Sequence, residues 1–436
     1  MTGAGPPLAE PDGDARPPRV GILIGSLEAG GAQRMALTLA HDLLSDGWEV
    51  RLLLLNPDRE MALPGDAAMQ DALETRLSVL DGSSVRASTV SKSLRFPRLH
   101  RRLAAAVAEH RLEVVVSFME RANVLNLLGN RAVPRIVSVR KQISVALADK
   151  TALKRALIRH AYPRLLRRAA AIVLNARASA AEFQRRFAVP AGRLTVIPNA
   201  VAPEIAERAR AAPEGPGAEA LDTAAIVSVG RLLPAKGHAP LLRAFTQVRA
   251  QCPGARLVIV GNGPLRGRLG ALAQALGVSD RVYFAGFQAN PYPWMAGAGA
   301  LALPSRAEGF PNALLEAMYL GTACVAADCP SGPRELLAPD TPIERVATDV
   351  EVTGAGILVP PMPDRDLDAE AALTASERAL AAGLIQVLTD RPLRRRLQAG
   401  AAERAGTFTP HRANAAWQKL IAQTLPPAPA GAARGR

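Results

Sequence analysis

The chain is poor in cysteine and in aromatic rings. Three cysteines in 436 residues (Cys252, Cys324 and Cys329) form no C-x-x-C pair. That spacing excludes a disulfide framework and a structural zinc site, and it suits a reducing compartment. No apolar run approaches the ~20 residues that a membrane span needs, and the first residues lack the basic region and apolar stretch of a signal peptide. A cytoplasmic protein is expected, free or peripheral on the inner face of the cytoplasmic membrane. Acidic residues are scarce in one region. From Arg86 to Arg168 there are 19 Lys/Arg against 4 Asp/Glu, a local charge of +15, while the whole chain carries +14. A basic block of this kind implies an anionic partner. Only Phe96, Phe118 and Tyr162 lie inside it, too few for a base-stacking platform. With no helix-turn-helix, zinc-finger or RNA-binding signature, a nucleic-acid partner is not expected and an anionic membrane surface is. Within the block, "DKTALKRALIRHAYPRLLRRA" sets Leu153, Leu157 and Ala161 at helical spacing beside Lys154, Arg155 and Arg159. That is the pattern of a basic amphipathic surface helix; a solvated charged face fits it as well.

What is present is strand–helix alternation, twice. The length implies two domains of about 150–200 residues. "RVGILIG" (19–25), a helical pattern and "EVRLLLL" (49–55) make a βαβ unit, followed by "EVVVSF" (113–118), "RIVSV" (135–139) and "AAIVLN" (170–175). Continuous apolar runs separated by helices predict a doubly wound parallel sheet over 19–200. Residues 201–223, rich in Ala, Pro, Glu and Gly, read as a linker. A second set begins at "AAIVSVG" (224–230) and continues through "RLVIVG", "RVYFAG", "GALALPS" and "ACVAA", predicting a second Rossmann-like domain over 224–408. The ends, 1–18 and 426–436, have the composition of disordered tails. In sheets of this type ligands bind beyond the carboxyl ends of the strands.

Several turns at such strand ends could carry chemistry. "GSLEAGGAQ" (25–33) opens a helix, and Gly30 and Gly31 would let a ligand approach backbone N–H groups. It is no Walker A loop, since Gly31-Ala32 stands where Lys-Ser/Thr is needed; a plain βα turn is the other reading. "VIVGNGPLRG" (258–267) places Gly261, Gly263 and Gly267 as G-x-G-x-x-x-G, close to but not the dinucleotide fingerprint, so a nicotinamide-binding half is an alternative. In "VGRLLPAKG" (229–237), Arg231 and Lys236 lie just past a strand end, where a guanidinium fork and a point charge suit a diphosphate. Asp-x-Asp matches occur at Asp12 and Asp14 and near 364–368, in loop-like contexts, so no metal site is expected. "EGFPNALLE" (308–316) follows a strand. Pro311 is suited to the first helical position, and the helix is predicted to run to about Leu320, stopped by Gly321. A capped surface helix accounts for it. So does an anion site, with a diphosphate on the helix N-terminus, Glu316 on a ribose and Glu308 near a sugar.

Taken together, "GSLEAGGAQRMALTLAHDL", "VIPNAV", "VSVGRLLPAKG", "VIVGNGPLRGRL", "LGVSDRVYFAGFQANPYPW", "SRAEGFPNALLEAM" and "AADCPSGPRELL" resemble the family 4 retaining glycosyltransferases of the GT-B fold. The resemblance covers about residues 20–340. It implies two Rossmann-like domains facing a cleft, with segment 409–425 crossing back to the N-terminal domain. A nucleotide-sugar substrate would be held by the C-terminal domain and transferred with retention, without metal or other cofactor. By analogy Arg231 and Lys236 neutralise the diphosphate, Glu308 serves the sugar and Glu316 the ribose. Gly309, Phe310 and Asn312 then lie at the phosphate-facing turn. "GFQANPYPW", "EGFPNALLEAM" and "DCPSGPREL" resemble members that extend lipid-linked or cell-surface glycans from UDP-sugars. A glycan or polyprenyl-diphosphate-linked acceptor at an anionic membrane face is therefore implied, and the basic block suits it. The alternatives are GDP-mannose, a small-molecule acceptor, a hydrolase using the paired carboxylates, or a catalytically degenerate GT-B membrane-binding protein. Two departures stand out. Gln33 occupies a position where many relatives have Glu, and no histidine follows "EVVVSF", leaving Glu120, Arg121 or Asn123, with Arg140 and Lys141 after the next strand, as acceptor-side candidates. A structural loop residue is the equal alternative for each.

Overall fold

The computed structural model of the chain describes residues 17–28, 30–82, 95–129, 131–140, 152–363 and 369–425, with the backbone alone for 152–157. The expected tails up to residue 16 and from 426, Lys141, the 364–368 loop, and the side chains of Leu153, Lys154, Arg155 and Leu157 lie outside the described residues.

The apolar runs become strands because a parallel sheet buried on both faces needs no alternation. In the first sheet β1 is Arg19–Ile24, β2 Glu49–Leu54, β3 Leu77–Val79, β4 Val114–Phe118, β5 Arg135–Val139, β6 Ala171–Leu174 and β7 Leu194–Val196. Their order is β3-β2-β1-β4-β5-β6-β7, and β1 pairs in parallel with both β2 and β4. Between them run α1 (Gly31–Ser45), α2 (Ala67–Glu74), α3 (Phe96–Glu109), α4 (Glu120–Gly129), α5 (Ala152–Leu166) and α6 (Arg177–Phe187). β4 is buried throughout, and each such Val or Phe contributes roughly 1.5–3 kcal/mol on burial.

The second sheet holds β8 (Ala225–Val229), β9 (Arg256–Val260), β10 (Val282–Gly286), β11 (Ala300–Leu303), β12 (Cys324–Ala327), β13 (Glu351–Val352) and β14 (Ile357–Val359). The order is β10-β9-β8-β11-β12-β14-β13. All pairs are parallel except the terminal β13·β14 hairpin. The helices from α7 (Ile205–Arg208) onward are α8 (His238–Gln251), α9 (Arg266–Ala275), α10 (Tyr292–Ala296), α11 (Asn312–Tyr319), α12 (Pro333–Leu337), α13 (Ala375–Thr389), α14 (Arg391–Ala405) and α15 (Pro410–Thr424). One apolar layer lies under each face of this sheet. Leu301, Leu303, Leu314 and Met318 belong to one layer, and Leu241, Phe245, Ile259 and Leu380 to the other. β3, β7, β13 and β14 have no counterpart in the sequence reading, because two or three residues are too few to show a pattern.

The chain divides into two compact units, Met1–Ser138 with Leu165–Ile172 and Trp417–Arg436, and Val139–Arg164 with Val173–Ala416. Residues 201–223 are part of the second unit rather than a strip of chain outside it. Val201, Ile205 and Ala220 are buried in the same apolar layer as β8 and β11, three isolated anchors that the polar composition hides. Within the first unit Trp417 packs on Phe118, with ring centroids 5.7 Å apart. Inside the second, Arg243 and Glu377 form an ion pair at 2.9 Å with side chains 1% and 0% exposed. Glu377 also completes the capping box of α13 with Thr374. The pair thereby ties α8 to α13.

Candidate active site

In the second sheet the strand order reverses between β8 and β11, which are hydrogen-bonded neighbours. Ligands of open α/β sheets bind beyond the carboxyl ends of the strands at such a point. The two loops that leave there are 230–237, with Arg231 and Lys236, and 304–311, with Glu308. They are tied together by the Arg306 N–H, which donates to the Ala235 carbonyl at 2.9 Å. Gly237, at φ +68°, ends the 3₁₀ turn Pro234–Lys236. A Cβ there would lie 1.9 Å from the Pro304 carbonyl oxygen, so only glycine permits this approach.

The approach delivers Lys236 to Glu308. Its Nζ donates to Glu308 Oε1 at 2.6 Å, and Ser305 Oγ donates to the same oxygen at 2.7 Å. Glu308 is 9% exposed. The charge-assisted bonds compensate for the burial of its carboxylate. The residues assigned to sugar and to diphosphate are thus in direct contact. Ser305 carries no signal in the sequence beyond its place after a strand.

α11 begins immediately after this loop. Pro311 is its N-cap, at φ −81° and ψ 87°, and Asn312 is the first helical residue. This corrects the expected register by one position: the Pro311 carbonyl accepts from both Leu314 and Leu315, which places the ring outside the helix. The C-terminus matches expectation, with Leu320 as cap and Gly321 at φ +72°. Glu316 is half-buried in the second turn. Phe310, expected to face phosphate, is instead buried against Phe408 with ring centroids 5.8 Å apart. A large apolar side chain next to a core layer packs into it, so only the backbone of Phe310 belongs to the turn.

Arg140, a candidate for the acceptor side, lies within the second unit beside the α11 turn, where the structural alternative accounts for it. Its carbonyl oxygen stands 2.3 Å from where a Gly309 Cβ would be. Arg140 Nη1 donates to Asn199 Oδ1 at 3.0 Å, and Asn199 Nδ2 donates to Asn312 Oδ1 at 2.6 Å. Burial pushes the Arg140 guanidinium down to about 10, so it stays charged at neutral pH. Asn199 lies in the "VIPNAV" stretch, and only the fold shows that it orients Asn312. The loop "DCPSGPREL" buttresses the same turn. Ser331 Oγ donates to the Gly309 carbonyl at 2.8 Å, and Gly332, at φ +96°, faces Pro311 where a Cβ would come within 2.3 Å of Cδ. Glu335 accepts from the N–H groups of Arg177 and Ala178 at 2.8 and 2.9 Å, capping α6 from a distance in sequence. Asp328 and Glu351 both accept from Arg334, fixing the chain around Cys329, whose buried thiol is pushed up by burial and by Glu308.

Gly261 and Gly263 have a structural account. Gly261 takes φ +143°, and a Cβ would lie 2.0 Å from the Gly230 carbonyl oxygen; a Cβ on Gly263 would meet the Leu232 carbonyl oxygen at 2.6 Å. They let the β9 loop support the loop that carries Arg231, which is itself exposed.

In the first unit the expected residues spread out. Gly30 is the N-cap of α1 in extended backbone and Gly31 its first residue, conformations that any residue adopts. Glu120 is exposed at the start of α4. Asn123 is withdrawn from any ligand. It is 1% exposed, accepts from Ser117 Oγ at 2.8 Å and donates to the Ser138 carbonyl at 2.9 Å. A short amide next to two parallel strands is consumed in joining them. Among the described residues no group of three His, Cys, Asp or Glu side chains could hold a metal ion, and no helix is long and apolar enough to cross a membrane.

Comparison with known proteins bears on this arrangement. An uncharacterized glycosyltransferase of Methanocaldococcus jannaschii is 33% identical over 208 residues, 47% of this chain and 51% of that protein, so the match spans about half of the relative. The N-acetylgalactosamine-N,N'-diacetylbacillosaminyl-diphospho-undecaprenol 4-alpha-N-acetylgalactosaminyltransferase of Campylobacter jejuni is 29% identical over 339 residues, 74% of this chain and 84% of that one. In fold, Anabaena HepE in complex with UDP matches with a TM-score of 0.67 at 20% identity, covering 93% of this chain and 100% of that one. WaaG, a glycosyltransferase involved in lipopolysaccharide biosynthesis, matches with a TM-score of 0.65 at 18% identity over 91% and 98%. The family model Glycosyltransferase Family 4 matches residues 29–205, and Glycosyl transferases group 1 matches 215–355, the stretch that contains Arg231, Lys236, Glu308 and Glu316. With both halves matched and two doubly wound sheets in place, the chain belongs to the family 4, group 1 glycosyltransferases of the GT-B fold.

Proposed function

We propose that this glycosyltransferase moves a hexose or N-acetylhexosamine from a UDP-sugar to a lipid-linked or cell-surface glycan, with retention at the anomeric carbon and without a metal. The observation that carries the reading is the Lys236–Glu308 pair at the β8/β11 reversal, directly before the N-terminus of α11. A diphosphate at that terminus meets backbone N–H groups that lack intrahelical partners, with Lys236 and Arg231 as its cations. As the anomeric C–O bond to the diphosphate breaks, both electrons go to the diphosphate oxygen, the acceptor hydroxyl oxygen forms the new bond to the anomeric carbon on the same face, and its proton passes to the departing diphosphate. Lys236 stabilises that growing negative charge, and Glu308 lies against the positive charge developing on the sugar. Glu316, one and a half turns into α11 with its side chain tilted toward the N-terminus, is assigned the ribose hydroxyls. In support of the acceptor class, the Campylobacter jejuni relative is named for a diphospho-undecaprenol-linked saccharide. An Escherichia coli relative, 34% identical over 133 residues, is named a lipopolysaccharide 1,6-galactosyltransferase. The basic block 86–168 is assigned to an anionic membrane face; Arg159 of α5 is exposed.

The test is a thermal-shift series with UDP, GDP, ADP and their sugars. A ligand at 100 times its Kd raises native stability by about 2.7 kcal/mol. UDP and one UDP-sugar should raise the melting temperature, and Glu316→Gln should remove most of that rise. A rise with GDP-mannose alone would replace the donor assignment. No rise with any nucleotide would leave the degenerate, non-catalytic reading.

A further inference from the structure

A second concentration of positive charge lies in the first unit, apart from the residues above. A cavity of about 120 Å³ is lined by Leu80, Asp81, Arg95, Arg98, Leu99 and Arg102, several times what one water needs. It sits just past the carboxyl end of β3 and against the first turns of α3. This is the side of a parallel sheet where ligands bind. Three arginines and a single aspartate line it. Arg95 holds Asp81 only at 3.6 Å, and Arg102 Nη1 is anchored on the Leu80 carbonyl at 2.6 Å, which orients the rest of its fork. Asp81 also acts on Arg121, at the start of α4. Arg121 Nη1 donates to Asn56 Oδ1 at 2.9 Å, while its Nη2 is buried with no hydrogen-bond partner among the described residues. Arg121 and Asn56 follow the ends of β4 and β2 and lie outside the cavity lining. Three lining arginines against one aspartate is an arrangement that an anion with several oxygens would complete, because guanidinium forks bind phosphate oxygens in pairs.

We propose that this cavity binds the phosphate groups of a diphosphate-linked acceptor. The proposal rests on the acceptor class given above and assigns it a subsite. Arg98 and Arg102 supply forks, Arg95 adds charge at the α3 N-terminus, and Asp81 keeps the arginines apart until the anion enters. An isoprenoid diphosphate and a phospholipid head group share this chemistry; the committed source is the acceptor's diphosphate.

The test titrates inorganic pyrophosphate calorimetrically into the full chain with the nucleotide site saturated by UDP. Wild type, Arg98→Gln and Arg98→Gln/Arg102→Gln are compared, and the UDP affinity of each variant serves as a check on folding. The single variant guards against a structural effect of losing the Arg102–Leu80 bond. Saturable pyrophosphate binding should weaken roughly tenfold in Arg98→Gln, the scale of one lost charged hydrogen bond, and further in the double variant, with UDP affinity kept. Pyrophosphate binding that is equal in all three proteins, or abolished by UDP, overturns the proposal. So does binding confined to phosphatidylcholine/phosphatidylglycerol vesicles and lost in the variants, which would assign the arginines to a lipid surface. A chain that binds no UDP would refute the donor assignment, while variant-sensitive pyrophosphate binding would still place an anion site here.

Discussion

The strand ends of the two units are built differently. In the second unit Lys236, Ser305 and Glu308 are bonded to one another, as are Arg140, Asn199 and Asn312 beside α11, and several glycines stand where a Cβ would strike backbone. Gly237 meets Pro304, Gly261 meets Gly230, and Gly309 meets Arg140. In the first unit Gly30 would meet only the end of the Gln33 side chain, and the arginines of α3 are mostly exposed. One set of loops is held rigidly by short contacts; the other presents charge with little scaffolding. A pre-formed site suits a small donor whose diphosphate must be placed within a fraction of an ångström. An electrostatic surface suits a larger acceptor drawn in from a distance.

The contrast predicts a graded series of effects. Arg243→Met leaves Glu377 buried and unpaired, and should cost about 3–5 kcal/mol in denaturant unfolding; a loss under 1 kcal/mol would show that the α8–α13 tie is not structural. Lys236→Met should lower kcat about 100–1000-fold, the scale of one lost electrostatic stabiliser, while the chain still folds by circular dichroism. Gly261→Ala should destabilise by about 3 kcal/mol, whereas Gly30→Ala should cost under about 1 kcal/mol. Equal losses at the two glycines would remove the distinction between the units. His238, buried beside Lys236, is pushed down to about 4, first by burial and then by that lysine. Its folded-state value lies below the ordinary 6.5, so between about pH 6.5 and 4 the unfolded chain takes up the proton first. Stability should therefore fall by about 2–3 kcal/mol on acidification across that window, and His238→Gln should flatten the slope in thermal melts.

Much of the fold was legible because strands buried on both faces write themselves as apolar runs; β1, β2, β5 and β8 through β12 lie within a residue or two of their quoted stretches. The edge strands β3 and β13 were not, since a pair or triplet of residues has no period. Asn123 illustrates the harder case. A polar residue after a strand reads the same whether it meets a ligand or ties two strands together, and its hydrogen bonds decide for the second. Arg140 reads as a loop cation near the first sheet, yet its bond to Asn199, which in turn holds Asn312, places it beside the α11 turn.

The residue types and their order sufficed for the two α/β halves, the strand–turn–helix setting of "EGFPNALLE", and the excess of positive charge in 86–168, because these depend on patterns within a few turns of chain. The pairing of Lys236 with Glu308 across 72 residues depends on β11 lying next to β8 rather than elsewhere in the sheet. The seating of Gly309 on Arg140 and the gathering of Arg95, Arg98 and Arg102 at the end of β3 likewise come from packing. Hydrogen bonding and close contact act over a few ångströms in space, and separation along the chain does not reveal them until the sheets are assembled.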